Sequence, residues 1–146
     1  ILGICYGEQL LNIHYGGTLD QDVTIRENAV DHGKSEQAAM HRVTFSEDFL
    51  GYSKGQQITV AARHHQAVAT LAPGFVAVAY ADDGCIEAIA GNGHVGVQWH
   101  SESDNTAPQI YGQFIQRCIL SSQVKVPVKK VAKPNVVTQL MARMKR

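Results

Sequence analysis

Ile1-Leu2-Gly3-Ile4-Cys5-Tyr6-Gly7 is the stretch whose reading decides the fold. Three apolar residues and a glycine run directly into a cysteine bracketed by Gly3 and Gly7. Leu10, Leu11 and Ile13 then recur at helical spacing, and Gly16-Gly17 supplies a helix stop. A buried strand, a sharp turn and a helix follow one another. A reactive residue on such a turn is held in a strained backbone with small neighbours, as in the G-x-S-x-G elbow of serine hydrolases. Its sulfur projects above the sheet edge, and the N-terminus of the next helix favours thiolate over thiol. The backbone N–H of Tyr6 is placed to donate to an oxyanion. Taken alone, Cys5 reads equally well as a small core residue, since free cysteine is commonly buried.

Working outward, residues 18–40 are polar and read as a long surface connection. His41 to Phe45 and Ile58 to Ala61 read as short strands, and Phe75 to Tyr80 as a longer one rich in β-formers. Asp82-Asp83-Gly84 is a tight hairpin turn that returns Cys85 to Ala90 as a partner strand. Val95 to Trp99 is the last strand and delivers His100. Ile110, Tyr111, Phe114, Ile115, Cys118 and Ile119 fall at helical spacing and predict an amphipathic closing helix. This is an α/β pattern. A buried strand that starts at residue 1 and ends on a reactive residue belongs in the middle of a doubly wound sheet. Residues 1–122 therefore read as the C-terminal portion of a larger domain, with the N-terminal part supplied by preceding chain.

The second chemical feature is Gln98-Trp99-His100-Ser101-Glu102. A histidine at the C-terminal end of a strand sits where open α/β sheets assemble their sites. Glu102, two residues on, can fix which imidazole nitrogen carries the proton. Cysteine, histidine and an orienting carboxylate together are the general means of activating a thiol. His64-His65-Gln66 is a third candidate. Adjacent histidines point to opposite sides of an extended chain, and no further ligands stand at zinc-like spacing, so no metal is expected. A loop lining a pocket is the better use. His14, His32, His41 and His94 carry no motif and read as solvated or packed. Cys85 and Cys118 read as structural from their strand and helix placement.

Composition agrees with a single globular domain: 146 residues, 45% hydrophobic, with no run of eighteen apolar residues and no signal-peptide pattern. Three widely spread cysteines make no disulfide framework, which points to a reducing, cytoplasmic setting. The formal net charge of zero divides unevenly. Residues 1–122 hold all 13 acidic side chains and six basic ones; residues 123–146 hold the other seven basic side chains and no acid. The tail's prolines favour an extended segment, and residues 137–144 a short basic helix. It reads as a solvating tail. Aromatic residues are not interleaved with its charges, so nucleic acid is not expected as a partner, nor is a membrane.

With those residues in place, the chain resembles the gamma-glutamyl-gamma-aminobutyrate hydrolase family of the class I glutamine amidotransferase-like superfamily. The resemblance runs from residues 1–22 through His64-His65-Gln66-Ala67-Val68 and residues 83–89 to Val97-Gln98-Trp99-His100, over about residues 1–120. It implies a flavodoxin-like doubly wound sheet and a hydrolase of γ-glutamyl amide bonds. Cys5 would be the nucleophile, His100 the base and Glu102 its orienting partner. Gln9, His65 and Gln66 would contact a small γ-glutamyl substrate. No cofactor is implied, and homo-oligomerisation is left open. Tyr6, Ser101 and Ala61-Ala62 depart from the family's usual residues, the last pair removing polar groups beside the pocket. The family's second oxyanion donor lies in its N-terminal half, and such a donor is worth about 100- to 1,000-fold in rate. Two other readings share these residues: a glutaminase module delivering ammonia to a synthetase, and a truncated, non-catalytic remnant.

Overall fold

The computed structural model describes residues 1–33 and 38–123. Strand β1 (Leu2–Ile4) passes through Cys5 into helix α1 (Tyr6–His14), followed by β2 (Thr18–Asp20) and β3 (Ala39–Phe45). Strands β4 (Gln57–Ala62), β5 (Ala67–Thr70), β6 (Phe75–Ala81), β7 (Ile86–Gly91) and β8 (His94–Val97) precede helix α2 (Ala107–Gln123). Six strands form one mixed sheet in the order β1-β8-β7-β6-β3-β4, while β2 and β5 pair separately. β1 and β8 are parallel, with Ile4 opposite Val97, so the chain leaves both strands at the same edge. That edge carries the two chemical motifs.

The predicted strands and hairpin are present. β6 and β7 pair antiparallel, Gly84 turns between them at φ 80, and Cys85 N–H donates to Asp83 Oδ1 at 3.0 Å. The main core packs Phe45, Tyr52, Val60, Val97, Trp99 and Ile110, with Phe45 stacked on Tyr52 at 4.6 Å.

Four expectations are corrected. Residues 18–40 are more than a surface connection: they contain β2, and Val23 and His32 are buried. β5, directly after the predicted pocket loop 64–66, was hidden by its brevity. Asn12, fully buried on α1, ties this pair down by donating to Thr18 O and Thr70 O, both at 3.0 Å. Helix α1 faces inward with Glu8, Gln9 and Asn12 as well as Leu11, while Leu10 and Ile13 are exposed. Gln9 and Asn12 find amide partners on that face, whereas the Glu8 carboxyl has none among the described residues. On α2 only Ile110, Tyr111 and Phe114 reach the core; Ile115, Cys118 and Ile119 are exposed, because the helix runs past the body. The basic tail predicted for 123–146 lies outside the described residues but for Gln123. Among the described residues, no helix is long and apolar enough to cross a membrane.

Candidate active site

Cys5 is the N-cap of α1 and holds φ 48, ψ −108, a positive φ that non-glycine residues seldom adopt. The strained elbow read from the sequence is therefore present. Gly3 makes it possible: a Cβ there would sit 2.6 Å from the backbone of Gly7. Gly7 itself faces open space, so the demand for smallness falls on one side of the cysteine only. Cys5 N–H donates to Val97 O at 2.8 Å, locking the elbow to the end of β8.

β8 continues through two buried residues to His100. Trp99 fills the core and donates from Nε1 to Thr106 Oγ1 at 3.0 Å. Gln98 turns the other way, toward the sulfur, and its Nε2 donates to Cys5 Sγ at 3.4 Å. His100 N–H donates to Ala61 O at 2.8 Å, which fixes its backbone against β4. Its Nδ1 lies 2.5 Å from Glu102 Oε1 in the turn Ser101–Ser103. With Nδ1 donating to the carboxylate, Nε2 is the nitrogen left to exchange a proton. Burial would raise the Glu102 carboxyl, but the His100 bond, a backbone N–H and the charges of His100 and Arg63 together hold the group below the usual range.

The structure thus brings Cys5, His100 and Glu102 to one edge, although the side-chain bond to the thiol comes from Gln98. The thiol does not behave as the helix N-terminus alone predicts. Burial pushes it up, the Tyr6 N–H pulls it back in part, and the charges of Glu8, Glu102 and Glu87 push it up again. Desolvation outweighs the dipole when no cation faces the sulfur. Cys5 in this geometry is a thiol that needs a base.

The other predicted residues divide. Gln9 is buried and its Nε2 donates to Gln66 O and Gln98 Oε1, both at 2.9 Å. It works beneath the site, joining the pocket loop to the residue that touches the sulfur. His65 is exposed; Gln66 is half-buried and donates to Gln21 Oε1 at 2.6 Å. Tyr6 is exposed at the mouth. Sequence reasoning gave Gln98 no role, though its place at the end of the last strand was the available signal.

Comparison with known proteins follows the same residues. Residues 1–102 match the Peptidase C26 family. A glutamine amidotransferase-like protein of Lactococcus lactis, YvdE, is 37% identical over 108 residues, covering 70% of this chain and 45% of that protein. The glutamine-hydrolyzing GMP synthase of Dictyostelium discoideum is 32% identical over 108 residues, covering 73% of this chain and 14% of that one. Protein NtpR of Enterococcus hirae is 35% identical over 129 residues, with 80% and 54% covered. The chain spans about half the length of YvdE and NtpR. Among solved structures, a Thermoplasma acidophilum protein assigned to a GMP synthase superposes with TM-score 0.68 at 21% identity, over 85% of this chain and 59% of that one. A glutamine amidotransferase of Thermotoga maritima gives 0.55 at 17% identity, over 84% and 49%. These likenesses establish the class I glutamine amidotransferase-like, doubly wound α/β fold.

Proposed function

This chain belongs to the Peptidase C26 family, and on that premise we propose that it hydrolyses γ-glutamyl amide bonds, with Cys5 as nucleophile, His100 as acid–base and Glu102 as its orienting partner. The observation that carries the reading is the positive-φ elbow of Cys5 beside a histidine–carboxylate pair on the parallel neighbouring strand. His100 Nε2 takes the thiol proton as sulfur attacks the γ-carbonyl carbon, forming the C–S bond and an oxyanion that the Tyr6 N–H helps to hold. Collapse breaks the C–N bond, and His100 returns the proton to the leaving amine. His100 then removes a proton from water, whose oxygen attacks the thioester. The C–S bond breaks, releasing glutamate and restoring the thiol. His65 and Gln66 flank the substrate, and Gln9 supports them from below.

A thiol raised by burial suits this sequence, since the proton leaves only as the base accepts it. The test is turnover of γ-glutamyl-p-nitroanilide and γ-glutamyl-γ-aminobutyrate by the full protein. Cys5→Ser should reduce it at least ~1,000-fold. A variant that kept the parent rate would overturn the assignment.

The likeness to GMP synthases favours one second reading, a glutaminase that passes ammonia to a synthetase. It requires the same three residues and a partner. Free glutamine would then be turned over only when that synthetase is present, whereas the first reading predicts γ-glutamyl amine hydrolysis without one.

A further inference from the structure

Three histidines meet a buried glutamate on the far side of the pocket loop from Cys5. His32, His41, His64 and Glu87 are all buried, and they come from four separate segments. In each histidine one nitrogen is spoken for by a group that can only accept. His32 Nε2–H donates to the Asp83 carboxylate at 2.8 Å, and His64 Nδ1–H to Gln66 O at 3.0 Å. His41 Nδ1–H donates to Asp31 O at 3.2 Å. The remaining nitrogens, His32 Nδ1, His64 Nε2 and His41 Nε2, turn toward Glu87 Oε1, at 3.5, 3.5 and 3.2 Å.

Three lone pairs and a carboxylate cannot converge in a dry interior without a cation among them. Protons on the rings or a metal ion would supply it. Among the described residues neither oxygen of Glu87 has a hydrogen-bond partner, nor has His41 Nε2, while His32 Nδ1 and His64 Nε2 lie within hydrogen-bond distance of each other. The cluster's dimensions suit an ion. His32 Nδ1 and His64 Nε2 are 3.2 Å apart, and each is 3.5 Å from Glu87 Oε1. The nearest point equidistant from these three atoms lies in their plane, about 2.0 Å from each, so an ion on or slightly above that plane has bonds of zinc length to imidazole nitrogen and carboxylate oxygen. Metal-binding histidines typically give their second N–H to a carboxylate or a backbone carbonyl, as both do here.

We propose that His32, His64 and Glu87 hold a structural divalent transition-metal ion of the zinc type, with His41 Nε2 3.2 Å from the same carboxylate oxygen. The competing set, His32 with Asp83 and Cys85, is less suited. Asp83 Oδ1 already accepts from Cys85 N–H, and Oδ2 from Val30 N–H and His32 Nε2–H. The ion would pin β7, the loop that follows β4 and the 23–33 segment to one another. Two imidazoles and a carboxylate select zinc-like ions over magnesium or calcium.

The test uses the full chain, stripped with a chelator and titrated with Zn2+ alone. One equivalent should bind and raise the melting temperature, and protein purified without chelator should retain close to one ion by elemental analysis. His64→Asn should abolish the shift. Asp83→Asn, which removes the charge of the outer partner of His32 and leaves the three proposed ligands intact, should weaken Zn2+ binding about 10- to 100-fold. Co2+ in place of zinc should show tetrahedral visible bands without a thiolate-to-metal band, which separates this set from the one containing Cys85. A melting temperature unmoved by Zn2+ in the parent, or equal Zn2+ binding by parent and His64→Asn, overturns the site and leaves protons as the cation. The parent titration decides the matter even where a variant fails to fold. None of these readouts depends on turnover, so the metal site and the proposed hydrolysis stand or fall separately.

Discussion

The thiol edge and the histidine cluster share one loop and differ in everything else. His100 takes its backbone position from Ala61, and both Gln9 and His64 bond to the carbonyl of Gln66, so residues 61–66 serve both regions. At the edge, the His100 and Glu102 side chains are 22% and 47% exposed; in the cluster, those of His32, His64 and Glu87 are 0–3% exposed. Edge side chains are held by backbone geometry at strand ends, and cutting one back leaves water in its place. Cluster side chains are held by one another, and cutting one back leaves a buried polar orphan. Activity and stability should therefore separate along this line.

The largest effect expected is at His100. His100→Ala should lower turnover of a γ-glutamyl anilide about 1,000-fold, while its unfolding free energy changes by no more than about 0.5 kcal/mol. Parallel kinetics and urea melts check both halves. A stability loss of several kcal/mol would show that the edge is built like the cluster after all.

The same difference explains what could be read in advance. Cys5 and His100–Glu102 are legible because each is a short motif whose local chain direction is set within a few residues, by Gly3 and by the run from Val95 to Trp99. β6, β7 and their turn were legible for the same reason. The cluster was not, because His32, His41, His64 and Glu87 become neighbours only when β3, β4 and β7 join one sheet through β6 and the 23–33 segment packs beside it. Nothing within a few residues of His32 marks it. β2 and β5 escaped notice because three- and four-residue strands have too few positions for alternation to register. The inward face of α1 was not legible because Gln9 and Asn12 satisfy their amides with distant carbonyls, which hydrophobic periodicity does not detect. The thiol's upward shift likewise depends on burial that only the folded chain supplies.

A smaller loss tests whether orientation at the edge is separable from reactivity. Glu102→Gln leaves the imidazole in place without its carboxylate and should reduce turnover about 100-fold. In the parent the carboxyl lies below its ordinary value, because the His100 bond, a backbone N–H and the charges of His100 and Arg63 together outweigh burial. A depressed carboxyl exerts its effect above the ordinary value and loses it as pH falls through the lowered one. The ratio of parent to variant rates should therefore stay flat from pH 8 to pH 5 and shrink only in stronger acid. A ratio that collapses by pH 6 would mean that Glu102 does not act as an ionised partner.

Gln98 belongs to both regions by construction, since its side chain reaches the thiol and its backbone N–H donates to Glu87 O at 2.8 Å. Gln98→Leu should remove one of the two acceptors of the buried Gln9 amide and cost about 1–3 kcal/mol in urea unfolding. Turnover should fall about 10-fold, with a matching change in the rate at which iodoacetamide alkylates Cys5. Loss of stability with unchanged alkylation would confine Gln98 to the scaffold.

The subtlest test lies between the two regions, at Glu8. This side chain is fully buried on α1, neither oxygen has a hydrogen-bond partner, and a Cβ on Gly96 would lie 2.6 Å from its Cγ. Burial first, and the charge of Glu87 second, raise its carboxyl well above 4.5. A raised carboxyl is neutral in the fold and ionised in the unfolded chain, so the stability it contributes is complete below about pH 4.5 and drains as pH climbs toward the raised value. Glu8→Met, of similar length and unable to ionise, should remove that drain. The variant should gain at least about 1 kcal/mol on the parent between pH 5 and pH 8, since each tenfold change in a carboxyl's proton affinity is worth about 1.4 kcal/mol. A parent whose stability is as flat as the variant's across that range would mean that Glu8 is ionised and paired in solution. The negative charge at the back of the thiol would then be larger than the fold as described supplies.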